Sequence, residues 1–361
     1  MYIKKISLSN FRNYIDETVE FSPKTNIVVG KNAQGKTNLI EPIYILSTLK
    51  SFRNSKLVDC IREDSDQATI EVVLESDTFG ERKIKYVINK DGEDEYYVNG
   101  NLIKQKKDKL GFVYAVIFSP DELKIVKSGP EVRRDFIDTD ISQVSKAYCV
   151  LLDRYEEVLM NRNKLLKSCT YIKNVDAQLD VFDKQLALIG SQIALSRKNF
   201  IDKINGKVSS VLNYLTRGKE NLEIKYVGLK GKTREDMTEN FLNNLVVSRD
   251  KDKEVGYTTI GPHRDDLKFF INKKEVKPYA SQGQIRSVVL ALKLAELETI
   301  KEEKECPILL LDDVFSELDY SRQELLLKYL SNQQIFITST FSKVKNLEEF
   351  KKIRVVSGKI K

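Results

Sequence analysis

Thr25-Asn26-Ile27-Val28-Val29-Gly30-Lys31-Asn32-Ala33-Gln34-Gly35-Lys36-Thr37-Asn38-Leu39-Ile40 reads as a short apolar strand, a turn bounded by glycines and the opening of a helix. Its middle, Gly30 to Thr37, matches G-x-x-x-x-G-K-[ST] in full. The glycines let successive backbone N–H groups curl around a phosphate at the positive end of the following helix. Gly30, Lys31, Asn32, Ala33, Gln34, Gly35, Lys36 and Thr37 therefore form the expected nucleotide cradle. Lys36 would sit on the β- and γ-phosphates, and Thr37 would give its hydroxyl to Mg²⁺. A helix from Gly35 to Leu49 is expected behind the loop.

A second stretch fits the first. Pro307-Ile308-Leu309-Leu310-Leu311 is a continuous apolar run of the kind found in a central parallel strand, and it ends in Asp312-Asp313. Asp312 is the expected second magnesium ligand. Asp313 is placed to orient or deprotonate the attacking water. Upstream, Ser281-Gln282-Gly283-Gln284 opens a helix that runs from Ile285 to Glu303. Four polar residues there can be a plain helix cap. They also fit a signature in which Ser281, Gly283 and Gln284 meet the γ-phosphate held by a second copy of the chain. Ser316-Glu317-Leu318-Asp319 then fits a loop that communicates between two such sites. Phosphate loop, signature, acidic strand end and this loop occur in the order used by ABC-type ATPases, where two copies sandwich ATP.

Working outward, the first 120 or so residues read as mostly β. Strand-like runs lie at Ile3–Leu8, Ala68–Leu74, Lys83–Ile88 and Val113–Phe118, and Asn99-Gly100 marks a tight hairpin. From Glu131 to Leu215 apolar residues recur at helical spacing, interrupted between Ser168 and Asp176. Two long antiparallel helices are expected there, as an arm inserted into another domain. Strand patterns return after Leu222, at Leu267–Ile271, Ile335–Thr338 and Ile353–Val356, with a helix at Arg322–Leu330. The nucleotide motifs lie at both ends of the chain, so the ends must meet. The expected division is an ATPase head of residues 1–125 and 255–361 and a mostly helical arm of residues 126–254.

The totals bound this reading. The chain has 361 residues, 41% hydrophobic and 31% charged, which suits a globular protein with a sizeable core. No apolar run reaches the roughly 20 residues needed to span a bilayer, and the first residues lack the pattern of a signal peptide. Four scattered cysteines make neither a C-x-x-C pair nor a disulfide framework, so a reducing cytoplasm is expected. A single histidine excludes chemistry built on several. A net charge of +7 permits an anionic partner without demanding one, because 60 basic and 53 acidic residues are interspersed.

Further segments carry a resemblance. Leu8-Ser9-Asn10-Phe11-Arg12-Asn13-Tyr14, Asn32 to Asn38, Phe118-Ser119-Pro120-Asp121 and Gly129-Pro130 with Arg133 to Asp138 resemble the RecF family of SMC-like ABC ATPases. So do Gly261-Pro262-His263-Arg264-Asp265-Asp266-Leu267, Ala280 to Gln284 and Leu310 to Asp319. The resemblance spans residues 8 to 319. It implies an α/β P-loop head with an inserted helical arm and an ATP-dependent homodimer. It implies slow, DNA-stimulated ATP hydrolysis and binding to single- and double-stranded DNA at gaps and junctions. RecR is the implied partner, with RecO in the same pathway, and the implied role is loading of a recombinase during repair and replication.

The sequence also departs from the wider ABC pattern. Where a transporter ATPase carries a histidine after the strand that follows the acidic one, Phe336-Ile337-Thr338-Ser339-Thr340 stands here, so Thr338 or Ser339 is expected to touch the γ-phosphate only weakly. The acid after Asp312 is an aspartate, one methylene shorter than the usual glutamate. Val116–Glu122 is placed by position alone as the region of the Q-loop. His263 reads either as a functional residue at the head surface or as a hydrogen-bonded turn histidine. Arg53 reads either as an arginine turned toward nucleotide or DNA or as a solvated one. Two other function classes stay open: an ATP-switched scaffold without turnover, and a transporter's ATPase subunit, which the missing histidine and the inserted arm disfavour.

Overall fold

The computed structural model describes residues 1–53, 55–169, 173–318, 322–323, 326, 330, 333–340 and 349–361. The chain forms two compact units. One comprises Met1–Leu123, Tyr214–Arg217 and Arg286–Lys361; the other comprises Lys124–Asn213 and Gly218–Ile285. Segment 255–285, assigned to the head on sequence, lies in the second unit. The reason is pairing: strand Asp266–Ile271 bonds along its length to Leu222–Val227.

The first unit holds a six-stranded sheet in the order Lys359–Ile360, Phe350–Val356, Thr25–Val29, Ile335–Ser339, Ile308–Asp312, Ala115–Phe118. All neighbours but the terminal hairpin run parallel. Thr25–Val29, Ile335–Ser339, Ile308–Asp312 and the edge strand Ala115–Phe118 are buried along their whole length, as largely apolar runs require when both faces are covered. The strands bearing the two nucleotide motifs are separated by a single strand, Ile335–Ser339. A second, antiparallel sheet runs Tyr14–Glu20, Tyr2–Phe11, Gln67–Ser76, Gly80–Asn89, Glu95–Val98, Asn101–Leu102. Its strands alternate buried and exposed residues, the pattern of a sheet with one face on the core. The hairpin at Asn99-Gly100 is present, with φ of 49° and 83°. The strand Tyr14–Glu20 was not foreseen, because only Tyr14 and Val19 of it are buried.

Helix Lys36–Thr48 follows the loop and stops at Leu49, whose φ of 58° leaves helical space. In the second unit three helices, not two, occupy the stretch read as a pair: Pro130–Val144, Lys146–Ser168 and Val175–Leu215. Ser145 makes the extra break. It ends the first helix in an extended conformation and caps the second by accepting from the N–H of Tyr148. Leu165 and Leu166 pack against Leu179, Val175 and Phe182 across the interruption, so the two long helices are antiparallel. The further helix Arg234–Val255 was not foreseen; its capping box at Thr233 and Asp236 starts it, and Gly256 at φ 75° ends it.

Arg162 is 0% exposed. Its guanidinium bonds Asp183 at 2.7 Å and Asp252 at 2.8 Å, so burial of the charge is compensated by two buried carboxylates. All four cysteines are free. Among the described residues no helix is long and apolar enough to cross a membrane. The expected helix Arg322–Leu330 lies largely outside the described residues, as does Asp319.

Candidate nucleotide site

The loop Gly30–Lys36 leaves the buried strand Thr25–Val29 and enters the helix Lys36–Thr48. Ala33 at φ 62° and Gly35 at φ 111° turn the backbone through left-handed space. Gly35 is required twice over, because an added Cβ would also stand 2.7 Å from the Asn13 carboxamide. Gly30 is required by packing: a Cβ there would lie 2.5 Å from the carbonyl oxygen of Val355. Lys36 Nζ donates to the carbonyls of Gly30 at 2.9 Å and Lys31 at 3.0 Å, which keeps the ammonium over the loop. Burial pushes its pKa down, and Asp313 and Asp312 oppose that shift.

The sheet brings Asp312 to Thr37. Thr37 Oγ1 donates to both carboxylate oxygens of Asp312, at 2.8 and 3.1 Å, across 275 residues of sequence. Burial raises the Asp312 pKa, and hydrogen bonds from Thr338 and Thr37 hold it back. A buried carboxylate beside a hydroxyl is a hard, all-oxygen donor pair. It suits Mg²⁺, which takes one or two protein ligands and completes its shell with phosphate and water. No cluster of three or more His, Cys, Asp or Glu able to hold a metal occurs among the described residues. Loop and acid pair therefore fit a nucleotide–magnesium group.

Asp313 follows at φ 52°, solvent-exposed, and its N–H donates to Thr338 Oγ1 at 2.9 Å. Thr338 is 1% exposed and donates in turn to Asp312 Oδ1 at 2.7 Å. The Thr338 hydroxyl is thus engaged with the acidic pair. Ser339 gives its carbonyl to the N–H of Gly30 at 3.3 Å. Residues Val116–Glu122 form the strand Ala115–Phe118 and the start of a turn at Pro120–Leu123, and Glu122 pairs with Lys293 at 3.4 Å.

Sequence left Arg53 open. It donates to Asn38 Oδ1 at 2.8 Å, lies 3.9 Å from Glu41, and its charge favours the ionised form of Asp312. Arg53 therefore faces the nucleotide loop. Glu41, 0% exposed on the helix behind the loop, also takes a two-pronged bond from Arg12 at 2.6 and 3.0 Å and a bond from Ser51 at 2.6 Å. Neither Arg12 nor Glu41 was given a role from sequence, since a charge in a strand-connecting turn, as for Arg12, or inside a helix, as for Glu41, carries no local sign of such a pairing.

Ser281, Gly283 and Gln284 lie in the second unit, at the start of helix Gln282–Glu303. Ser281 Oγ accepts from the N–H of Gln284 at 3.2 Å, and Gln284 Oε1 accepts from the N–H of Ser281 at 2.9 Å. This is a reciprocal capping box, and it leaves Ser281 exposed. His263 is the turn histidine of the two readings. Nε2 donates to the Thr258 carbonyl at 3.0 Å, which leaves Nδ1 to accept from Tyr155 OH at 2.9 Å. Burial lowers its pKa to about 4. Of the loop Ser316–Asp319, Val314–Glu317 is a helical turn and Asp319 lies outside the described residues.

Comparison with known proteins converges. The family described as RecF/RecN/SMC N terminal domain matches residues 2–361. The DNA replication and repair protein RecF of Alkaliphilus oremlandii is 42% identical over 345 residues, covering 94% of this chain and 93% of that one. Its counterpart from Caldanaerobacter subterraneus is 40% identical over 346 residues, covering 94% of each. Among solved structures, the recombination mediator protein RecF with ATP, of the RecFOR pathway, superposes with a TM-score of 0.94. That match is at 37% identity and covers 100% of this chain and 97% of that one. An SMC head bound to the C-winged helix domain of ScpA matches at TM-score 0.58 and 17% identity, covering 100% and 96%, and shares the fold.

Proposed function

The chain belongs to the RecF/RecN/SMC family of ABC-type ATPases, and from that premise we propose that it is an ATP-dependent DNA-binding protein of recombinational repair and replication. The observation that carries the reading is the convergence of Lys36, Thr37 and the buried Asp312 on one phosphate loop. In this reading ATP and magnesium bind the first unit, which serves as the head, and the second unit is the arm.

Each residue then has a task. The N–H groups of residues 31–36 and the Lys36 ammonium hold the β- and γ-phosphates. Thr37 and Asp312 hold magnesium, which when bound neutralises phosphate charge. Asp313 orients the attacking water, and Arg53 adds positive charge at the mouth of the site. Ser281, Gly283 and Gln284 of a second copy complete the site from across the dimer, and the exposure of Ser281 at a helix N-terminus suits it to an anion. ATP binding closes two heads on gapped or junction DNA, and slow hydrolysis releases them. RecR is the proposed partner, with RecO acting in the same pathway.

The experiment is light scattering of the whole chain with and without ATP and gapped duplex DNA. ATP should double the mass, and DNA should prolong the doubled state. Ser281→Arg should bind ATP with near-normal affinity and remain monomeric. An intact ATP-induced dimer in that variant removes the sandwich, leaving Ser281 as a cap whose loss costs about 1 kcal/mol.

A further inference from the structure

The phosphate loop is gripped from outside by two segments that no nucleotide motif includes. Gln34 lies inside the loop and is half-buried. Its side-chain Oε1 accepts from the N–H of Ser357 at 2.7 Å and from Ser357 Oγ at 3.2 Å. Its main-chain carbonyl accepts from the N–H of Gly358 at 3.0 Å and from Asn13 Nδ2 at 3.0 Å. Asn13 Oδ1 accepts in turn from Asn38 Nδ2 at 2.8 Å, and Tyr14 OH donates to the Gly35 carbonyl at 2.9 Å.

The contacts leave no slack. A Cβ on Gly358 would stand 2.2 Å from the carbonyl oxygen of Asn13, and its φ of 70° disfavours any side chain. Ser357 sits at φ 48°, so the turn is held in left-handed space at two successive residues. The same hairpin presses the Val355 carbonyl onto Gly30 at the other end of the loop.

We propose that the Ser357-Gly358 turn and Asn13 form a latch that sets the shape of the phosphate loop through Gln34, making them positioning residues for the nucleotide. The physical link is the peptide plane. In a trans peptide the C=O of one residue and the N–H of the next point in opposite directions. Pinning the Gln34 carbonyl outward on Gly358 and Asn13 turns the Gly35 N–H inward. Tyr14, by holding the Gly35 carbonyl, does the same for the N–H of Lys36. Two donors of the cradle are thereby oriented before phosphate arrives, so the latch acts on nucleotide affinity and not on the hydrolytic step.

The latch rests on the ATP reading above, and the test separates the two. Binding of a fluorescent ATP analogue with magnesium, together with KM and kcat, is measured for the parent chain, Gln34→Ala, Gly358→Ala and the double variant. Melting curves accompany each; Gln34→Ala, on a half-buried loop residue, keeps the test on folded protein even where Gly358→Ala folds poorly. Each single change should raise Kd and KM about tenfold with kcat within twofold. The double variant should be no worse than the weaker-binding single, because both break one device. Effects that multiply to about a hundredfold overturn the latch, since they mark independent contributions. A lowered melting temperature with unchanged Kd overturns it too, leaving the hairpin as scaffold. A parent chain that fails to bind the analogue refutes the ATP reading, and the latch with it.

Discussion

Thr338→Val removes a hydroxyl without changing the outline of a residue that is 1% exposed. That hydroxyl donates to Asp312 at 2.7 Å and accepts from the N–H of Asp313 at 2.9 Å. A bond to an ionised group contributes about 1.5–3 kcal/mol, and a neutral one about 0.5–1.5. The variant should therefore lose about 2–4.5 kcal/mol of stability, with the cost concentrated at the acidic pair. The Asp312 pKa, already raised by burial, rises further once the Thr338 bond that restrains it is gone. Asp312 must be ionised to hold magnesium, so the acid limb of magnesium-dependent ATP binding should move to higher pH. Urea unfolding measures the first effect. Magnesium titrations of analogue fluorescence at pH 6 and pH 8 measure the second, with Thr338→Ser as the variant that keeps the hydroxyl. An unchanged magnesium midpoint at both pH values would refute the reasoning, whatever happens to stability.

Lys36→Met should abolish ATP binding and ATP-induced dimerisation together, since the neutral side chain no longer meets the phosphates; normal affinity in a binding titration would remove the cradle assignment. Asp313→Asn should still bind ATP and magnesium through Thr37 and Asp312 but turn over at least tenfold more slowly and linger as a dimer. Parent-like phosphate release would move the water-orienting role elsewhere. His263 is the chain's single histidine, so its ring signal can be followed by NMR without assignment. It should stay neutral until about pH 4, because burial lowers its pKa from 6.5. With the folded pKa depressed, its contribution to stability is fully present above about pH 6.5 and is lost as pH falls through 4, up to about 3 kcal/mol. Asp265, raised by burial to about 6, works the other way and loses its contribution as pH rises through that value. A ring titration near 6.5 would show that His263 is not enclosed as described.

What was legible in the sequence was local. The phosphate loop, the apolar strand before Asp312 and the Asn99-Gly100 turn each carry their physics within a few consecutive residues. The helix Arg234–Val255 escaped because it buries only Met237, Phe241, Leu245 and Asp252, too thin a stripe to stand out among its charges. The burial of Arg162 has no local signal, because its carboxylates lie 21 and 90 residues away. The commitment of Thr338 to the acidic pair and the grip of Ser357 and Gly358 on Gln34 depend on which strands become neighbours, and that order is written nowhere in the local pattern. Ser281 shows the opposite limit: its cap was readable, but a cap and a signature use the same residues at the same helix end.

The pairing of Thr25–Val29 with Ile335–Ser339 on one side and Phe350–Val356 on the other has a consequence for the chain as it leaves the ribosome. The phosphate loop is made early, yet both strands that flank its own strand are made last. At roughly 5–20 residues per second the first partner arrives about 15–60 s after Thr25. Throughout that interval the loop has no neighbouring strands to shape it and no Asp312 beside Thr37. A nascent or prematurely ended chain therefore lacks both the flanking strands and the carboxylate that complete the loop's surroundings.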